Sequence, residues 1–149
     1  MIELKKVDGR HQDFKYLVSF LDESLKETDG DEHDFYHQFN GITEIKYAFV
    51  AYENTIPVGC GAIKHFDKST VEVKRMYVKD NCRGKGIASI ILLALEDWAK
   101  TLGYTFTILE TGKRQQEALR LYKKNGYVII ENYGQYKDVE NSVCFKKQL

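Results

Sequence analysis

The chain has 149 residues, and its 22 Lys and Arg are balanced by 22 Asp and Glu, for a net charge of zero. That length predicts one domain spanning 1–149, able to bury a core without staples, and the charge balance argues against a dedicated nucleic-acid or membrane binder. No apolar run approaches a membrane span, the first residues do not read as a signal peptide, and three widely spaced cysteines without a CxxC pattern read as reduced thiols of a cytoplasmic protein.

In chain order, Ile2–Val7 is predicted as a short strand ended by Asp8-Gly9. Phe14, Leu17, Val18, Leu21 and Leu25 then fall at helical spacing, with one face toward a core and Lys15, Asp22 and Glu23 in water. The acidic stretch 28–34 stops that helix, and a shorter helix carrying Phe35 and Phe39 closes at Asn40-Gly41. From Lys46 the period is that of strands. Segments 47–52, 56–66 and Thr70–Val78, joined by short polar turns, form an antiparallel meander, with Pro57 near a strand start where its missing N–H does least harm.

A long helix begins at about Gly86 and ends at Leu102-Gly103. Its stripe of Ile87, Ile91, Ala94, Leu95, Trp98 and Leu102 is widened by Ile90, Leu92 and Leu93 into a nearly all-round apolar surface, so heavy cover is expected. Then come a strand at 104–109, the segment Glu110-Thr111-Gly112, a helix at 115–124 stopped by Asn125-Gly126, and strands at 127–130 and 143–147. The order predicts an α/β (α+β) fold: a mixed, mainly antiparallel sheet of about six or seven strands with helices on both faces.

The stretch Arg83-Gly84-Lys85-Gly86-Ile87-Ala88-Ser89 joins the third meander strand to the long helix. Its glycines admit a ligand close to the backbone, and the helix start offers unpaired N–H groups and the positive end of a dipole. Arg83 and Lys85 add charge, and the combination suits a phosphate or pyrophosphate. The Walker pattern is absent, and Gly59-Cys60-Gly61 meets Lys64 where GxGxxG requires its third glycine. What remains is Arg-x-x-Gly-x-Ala, at Arg83, Gly86 and Ala88. This resembles the coenzyme-A-binding signature of the GNAT superfamily of acyl-CoA-dependent N-acetyltransferases; the plainer reading is a strand-to-helix turn that needs glycine. A second stretch, Gln115-x-x-Ala118-x-x-Leu121-Tyr122 running to Gly126-Tyr127, is similar to the C-terminal GNAT motif, with Gln115 in place of its usual Asn.

The resemblance covers nearly the whole chain, least so before Gly41. It implies the GNAT fold and acetyl-CoA as co-substrate, with no metal. Arg83, Gly84, Lys85, Gly86, Ile87, Ala88 and Ser89 would then hold the pyrophosphate, and Gln115 and Ala118 would line the cofactor. Met76, Tyr77 and Val78 would flank the pantetheine arm and offer backbone N–H groups to the developing oxyanion. Tyr122 is the implied acid for the departing thiolate, protonated at neutral pH with an ordinary phenol pKa of about 10. Glu72 is the implied base, against a plain pairing with Lys74, Arg75 or a neighbouring strand; along a straight strand it lies roughly 13 Å from Met76.

Lesser candidates are set beside these. His11, His33, His37 and His65 read as surface or structural, and Cys60, Cys82 and Cys144 as core thiols. Asn132-Tyr133-Gly134-Gln135-Tyr136 is either a surface turn or an acceptor-side loop. The acidic segment 26–41 either walls the acceptor side or is simply solvated, and Arg75 or a tyrosine of 133–136 could equally hold a carboxylate. The expected function is transfer of acetyl from acetyl-CoA to a primary amine of a small molecule, by direct attack in a ternary complex. The alternatives are a non-catalytic coenzyme-A-binding sensor and a protein N-acetyltransferase. Neither nucleic acid nor membrane is expected as a partner, and a homodimer is compatible with the sequence.

Overall fold

The computed structural model describes residues 1–30, 42 and 44–149. The expected helix with Phe35 and Phe39, its Asn40-Gly41 stop, and His33 and His37 lie outside these. Seven strands form one sheet: β1 (Ile2–Val7), β2 (Tyr47–Glu53), β3 (Ile56–Asp67), β4 (Thr70–Val78), β5 (Phe106–Gly112), β6 (Val128–Ile130) and β7 (Ser142–Gln148), in spatial order β1-β2-β3-β4-β5-β7-β6. Among the described residues three α-helices accompany it: α1 (Gln12–Asp29), α2 (Ile87–Thr101) and α3 (Gln116–Lys124). Within the sheet only β4 and β5 pair in parallel; the other ladders are antiparallel.

Period-two alternation along β2 decides which helix covers which face. Ala48 and Val50 bury against Phe14, Leu17 and Val18 of α1, while Phe49 and Ala51 join Ile87, Ile91, Leu92 and Leu95 of α2 on the opposite face. The mixed sheet with helices on both faces is thus as expected. Helix α1 opens on His11, whose Nδ1 accepts from the Asp13 N–H, so this histidine is a helix cap.

Two expectations need correction. Ile90 and Leu93 are exposed, so α2 is covered on one broad face and not all round. A single sheet takes only one side of a helix, and nothing among the described residues packs over the other. The strand expected at 104–109 instead runs Phe106–Gly112. The Ser69 carbonyl accepts from the N–H groups of both Thr105 and Phe106, which holds the chain in a turn before the ladder begins. At the far end Glu110, Thr111 and Gly112 continue the ladder opposite Cys144, Val143 and Ser142.

The feature that positions the site is a parting of β4 from β5. Their pairing is confined to Thr70, Val71 and Glu72 opposite Phe106, Thr107 and Ile108. Beyond it β4 carries a bulge: Cys60 faces Tyr77 and Ala62 faces Lys74, so Gly61 alone opposes both Arg75 and Met76. Arg75 takes up the extra residue with φ of 58°, a left-handed conformation uncommon for arginine. A side chain at Gly61 would collide with the Met76 sulfur and with Ile91 and Leu95 of α2, which is why the facing position is bare.

Candidate active site

Where β4 and β5 separate, two cavities open and share a wall. The larger, about 850 Å³, is bounded by Met76, Tyr77 and Val78, by the turn and helix start from Cys82 to Ser89 without Lys85, and by α3. The smaller, about 130 Å³, is bounded by Glu72, Lys74, Arg75, Glu110 and Tyr136 among others. Leu21, Met76, Gln115, Ala118 and Tyr122 line both. The sequence motifs, which begin at Arg83 and Gln115, therefore meet at one junction.

The large cavity is built around the start of α2. Gly84 and Gly86 have φ of 80° and 78°, and a Cβ at either would meet nothing within 4 Å, so both open onto free space. Gly86 caps the helix with no side-chain bond, and the first carbonyl-bonded N–H of the helix is that of Ile90. The N–H groups of the first turn are therefore left for a ligand, at the positive end of a 15-residue helix. This arrangement fits a phosphate ester.

The two cations of this turn are differently disposed from the simple expectation. Arg83 donates through Nε to the Val78 carbonyl at 2.9 Å and pairs with Asp80 at 2.9 Å and Glu117 at 3.5 Å, and its guanidinium lies 5.6 Å from the Tyr77 ring centre. Lys85 is 3.5 Å from Glu53. Both charges have carboxylate partners, and Arg83 also lines the large cavity beside the backbone of Gly84 and Gly86. Arg114, Arg120 and Lys124 bring further positive charge to the same cavity. These three were not singled out in the sequence, because only the packing of α3 and the residues just before it against the turn brings them there.

Tyr122 stands at the junction with 6 % of its surface exposed. Its ring is edge-on to Tyr127 at 5.7 Å and tilted against Phe145 at 5.9 Å. Burial, with the Glu110 charge adding to it, pushes the phenol well above its ordinary value, so it stays protonated. Neighbouring Gln115 precedes α3, and its Nε2 is buried with no hydrogen-bond partner. Ser89 accepts from Asn125 Nδ2 at 3.1 Å, which ties α2 to the end of α3.

Glu72 is buried in the small cavity. Tyr133 donates its hydroxyl to Glu72 Oε2 at 2.6 Å, and Lys74 Nζ lies 3.8 Å from Oε1. Glu72 and Met76 both line this cavity, on either side of the bulge at Arg75. Burial also lowers Lys74 below its ordinary value and raises the Tyr133 and Tyr136 phenols. In segment 133–136 Tyr136 lines the cavity and Tyr133 reaches Glu72, while Gly134 and Gln135 face solvent. The acidic residues Asp31, Glu32 and Asp34 of the expected acceptor wall lie outside the described residues. From α1 it is Leu21 and Leu25, half-buried, that reach the cavity.

Sequence reasoning passed over the Arg75 bulge and the bare Gly61 opposite it. The Gly59-Cys60-Gly61 pair was a signal, since a glycine inside a strand marks a bulge or close approach. Cys60, Cys82 and Cys144 are unpaired and buried, as core thiols. His65 meets the Tyr104 hydroxyl at 2.8 Å on the surface. Among the described residues no three His, Cys, Asp or Glu side chains converge as metal ligands, and no helix is long and apolar enough to cross a membrane.

Comparison with known proteins fits this geometry. The profile described as "Acetyltransferase (GNAT) family" matches residues 14–127. The chain belongs to the GNAT family. As a GNAT protein it is an acyltransferase, and its relatives are named accordingly. It is 34 % identical over 107 residues to an IAA acetyltransferase of Azospirillum brasilense, covering 71 % of this chain and 69 % of that one. It is 33 % identical over 101 residues to a Bacillus subtilis protein described as the uncharacterized N-acetyltransferase YsnE, covering 66 % of this chain and 67 % of that one. Among solved structures, a Klebsiella pneumoniae protein described as an acyl-CoA N-acyltransferase superposes with a TM-score of 0.83 at 25 % identity, covering 100 % of this chain and 98 % of that one. The PaiA N-acetyltransferase of Thermoplasma acidophilum, solved with coenzyme A, shares the fold with a TM-score of 0.75 at 19 % identity, over 100 % and 99 %.

Proposed function

We propose that this GNAT protein moves an acetyl group from acetyl-CoA to a primary amine of a small molecule, by direct attack within a ternary complex. The observation that carries the reading is the shared wall: a long cavity at a helix start and a small polar cavity meet at a buried, protonated phenol. Acetyl-CoA supplies an activated thioester. The backbone of Gly84 through Ser89 receives its pyrophosphate, and Met76, Tyr77 and Val78 flank its pantetheine arm. Strand β4 is free of β5 along this length, so its outward N–H groups are available to the thioester and to the negative charge that develops on its oxygen. Gln115 and Ala118 close the other side.

The amine approaches from the small cavity. It must lose a proton before it can attack, and of the two carboxylates that line the cavity, Glu72 and Glu110, the assigned base is Glu72. Its bond from Tyr133 fixes its orientation. Tyr122 then gives its proton to the departing thiolate. A small acceptor is favoured over a protein tail by the limited volume of this cavity, about 130 Å³. The unpaired buried thiols support the expectation of a reducing, cytoplasmic setting. The test is a coupled thiol-release assay comparing free amines, amino acids and basic peptides at equal concentration. Turnover is expected with small amines, and robust turnover confined to the peptides would overturn the small-molecule reading.

A further inference from the structure

The small cavity shows an imbalance between donors and acceptors. Its carboxylates are already served: Glu72 accepts from Tyr133, and Glu110 accepts from Ser142 Oγ at 2.7 Å. Two donors are not. Arg75 Nε and Gln115 Nε2 are both buried without a hydrogen-bond partner, and both residues line this cavity. The Arg75 side chain is only 1 % exposed, and Asp22 of α1 engages Nη2 but leaves Nε open. A buried donor without an acceptor is costly, and a guanidinium N–H more so than an amide. The β4 bulge holds Arg75 in a left-handed conformation that a glycine would tolerate better, and the arginine at that place lines the cavity.

We propose that the acceptor carries a carboxylate beside its amine, received by Arg75 Nε with Gln115 Nε2, so that the substrate class is a small amino acid or a close analogue. This rests on the acetyltransferase reading above. The zwitterion matches the cavity at both ends: its anionic group meets the two open donors, and its amine turns toward Glu72 and the junction at Tyr122. Guanidinium is suited to this task because it is always charged and offers several donors in a fixed plane. An acceptor lacking the carboxylate leaves both donors buried and unpaired, and a site built to hydrogen-bond a group rejects the analogue without it.

The experiment compares, on the wild-type protein, each of the common amino acids as the free acid, as the primary amide and as the decarboxylated amine. Thiol release from saturating acetyl-CoA gives kcat/KM for each. For the preferred side chain the free acid should exceed its amide and its amine by at least about 10-fold. Arg75→Lys keeps a cation for Asp22 and should collapse that ratio toward one, mainly through KM. A second readout needs no turnover: calorimetric binding of the N-acetylated amino acid and of its amide to coenzyme-A-saturated protein, where the acid should bind at least about 10-fold tighter. Equal use and equal binding of acids, amides and amines would overturn the carboxylate site while leaving the acetyltransferase reading intact. No thiol release from any amine, with tight and Arg75-dependent binding of the N-acetylated acids, would do the reverse. If Arg75→Lys fails to fold, the wild-type comparisons decide alone.

Discussion

Replacing Tyr122 with Phe removes one hydroxyl and keeps the ring. The ring is 6 % exposed and held by Tyr127 at 5.7 Å and Phe145 at 5.9 Å, so its packing survives the change. Removing the hydroxyl alone should cost little stability, and thermal unfolding should move by only a few degrees. Proton transfer is a different scale: a positioned acid contributes up to about 10²-fold at the low end of the general range, close to 2.7 kcal/mol of barrier. A thiolate leaves readily, so the loss in kcat should lie at or below that figure. Acetyl-CoA affinity should stay within about two-fold, since the phenol is assigned to a step after binding. The pH profile sharpens the test. Burial and the Glu110 charge raise the Tyr122 phenol above its ordinary value, so the acid remains charged with its proton throughout the working range. Wild-type kcat should accordingly show no alkaline limb from this residue below about pH 10. Wild-type kcat in the Phe variant, on an acceptor that the native enzyme turns over well, would reduce Tyr122 to a packing residue.

Three further perturbations probe other parts of the site and the core. Gly86→Glu places bulk and negative charge at a helix start that nothing else fills, so calorimetric binding of acetyl-CoA should vanish while the protein stays folded; unchanged affinity in a folded variant would refute the assigned site. Glu72→Gln should shift or flatten the acidic limb of the pH–kcat/KM profile, and an identical profile would remove Glu72 as base. Stability should fall on the alkaline side. Burial raises the Cys60 thiol to about 12 and the Cys144 thiol to about 11, and it also raises the Tyr127, Tyr133 and Tyr136 phenols. Because the unfolded groups release their protons first, this stability is complete below about pH 9 and drains away as pH rises toward 12. Lys74, lowered by burial, works in the opposite sense, but it is one group against several. Denaturant unfolding from pH 8 to 11 measures the slope, and a flat profile would refute the assignment.

The sequence by itself determined the order of elements, the strand-to-helix turn at Gly84 and Gly86, and the face shared by Gln115, Ala118 and Tyr122. Each of these is set by local chemistry. Glycine is needed where φ is positive, period two or 3.6 marks strand or helix, and residues three and seven apart on a helix face one way. The ends of β5 were not legible, because they depend on a carbonyl of Ser69 and on partners in β7 distant in sequence. The exposure of Ile90 and Leu93 was likewise invisible, since apolarity on a helix says nothing of whether a second layer exists to cover it.

Only the tertiary structure decided the site. Glu72 and Met76 line one cavity on either side of a one-residue bulge at Arg75, which no local pattern announces. Arg83 meets Glu117 only because α3 packs against the turn that carries it. The wall formed by Tyr133 and Tyr136 exists because the loop before β7 folds back over β4, bringing Tyr133 to Glu72 across 61 positions of chain. Pairings of that range are selected by the packing of the whole sheet, and no window of sequence contains both partners.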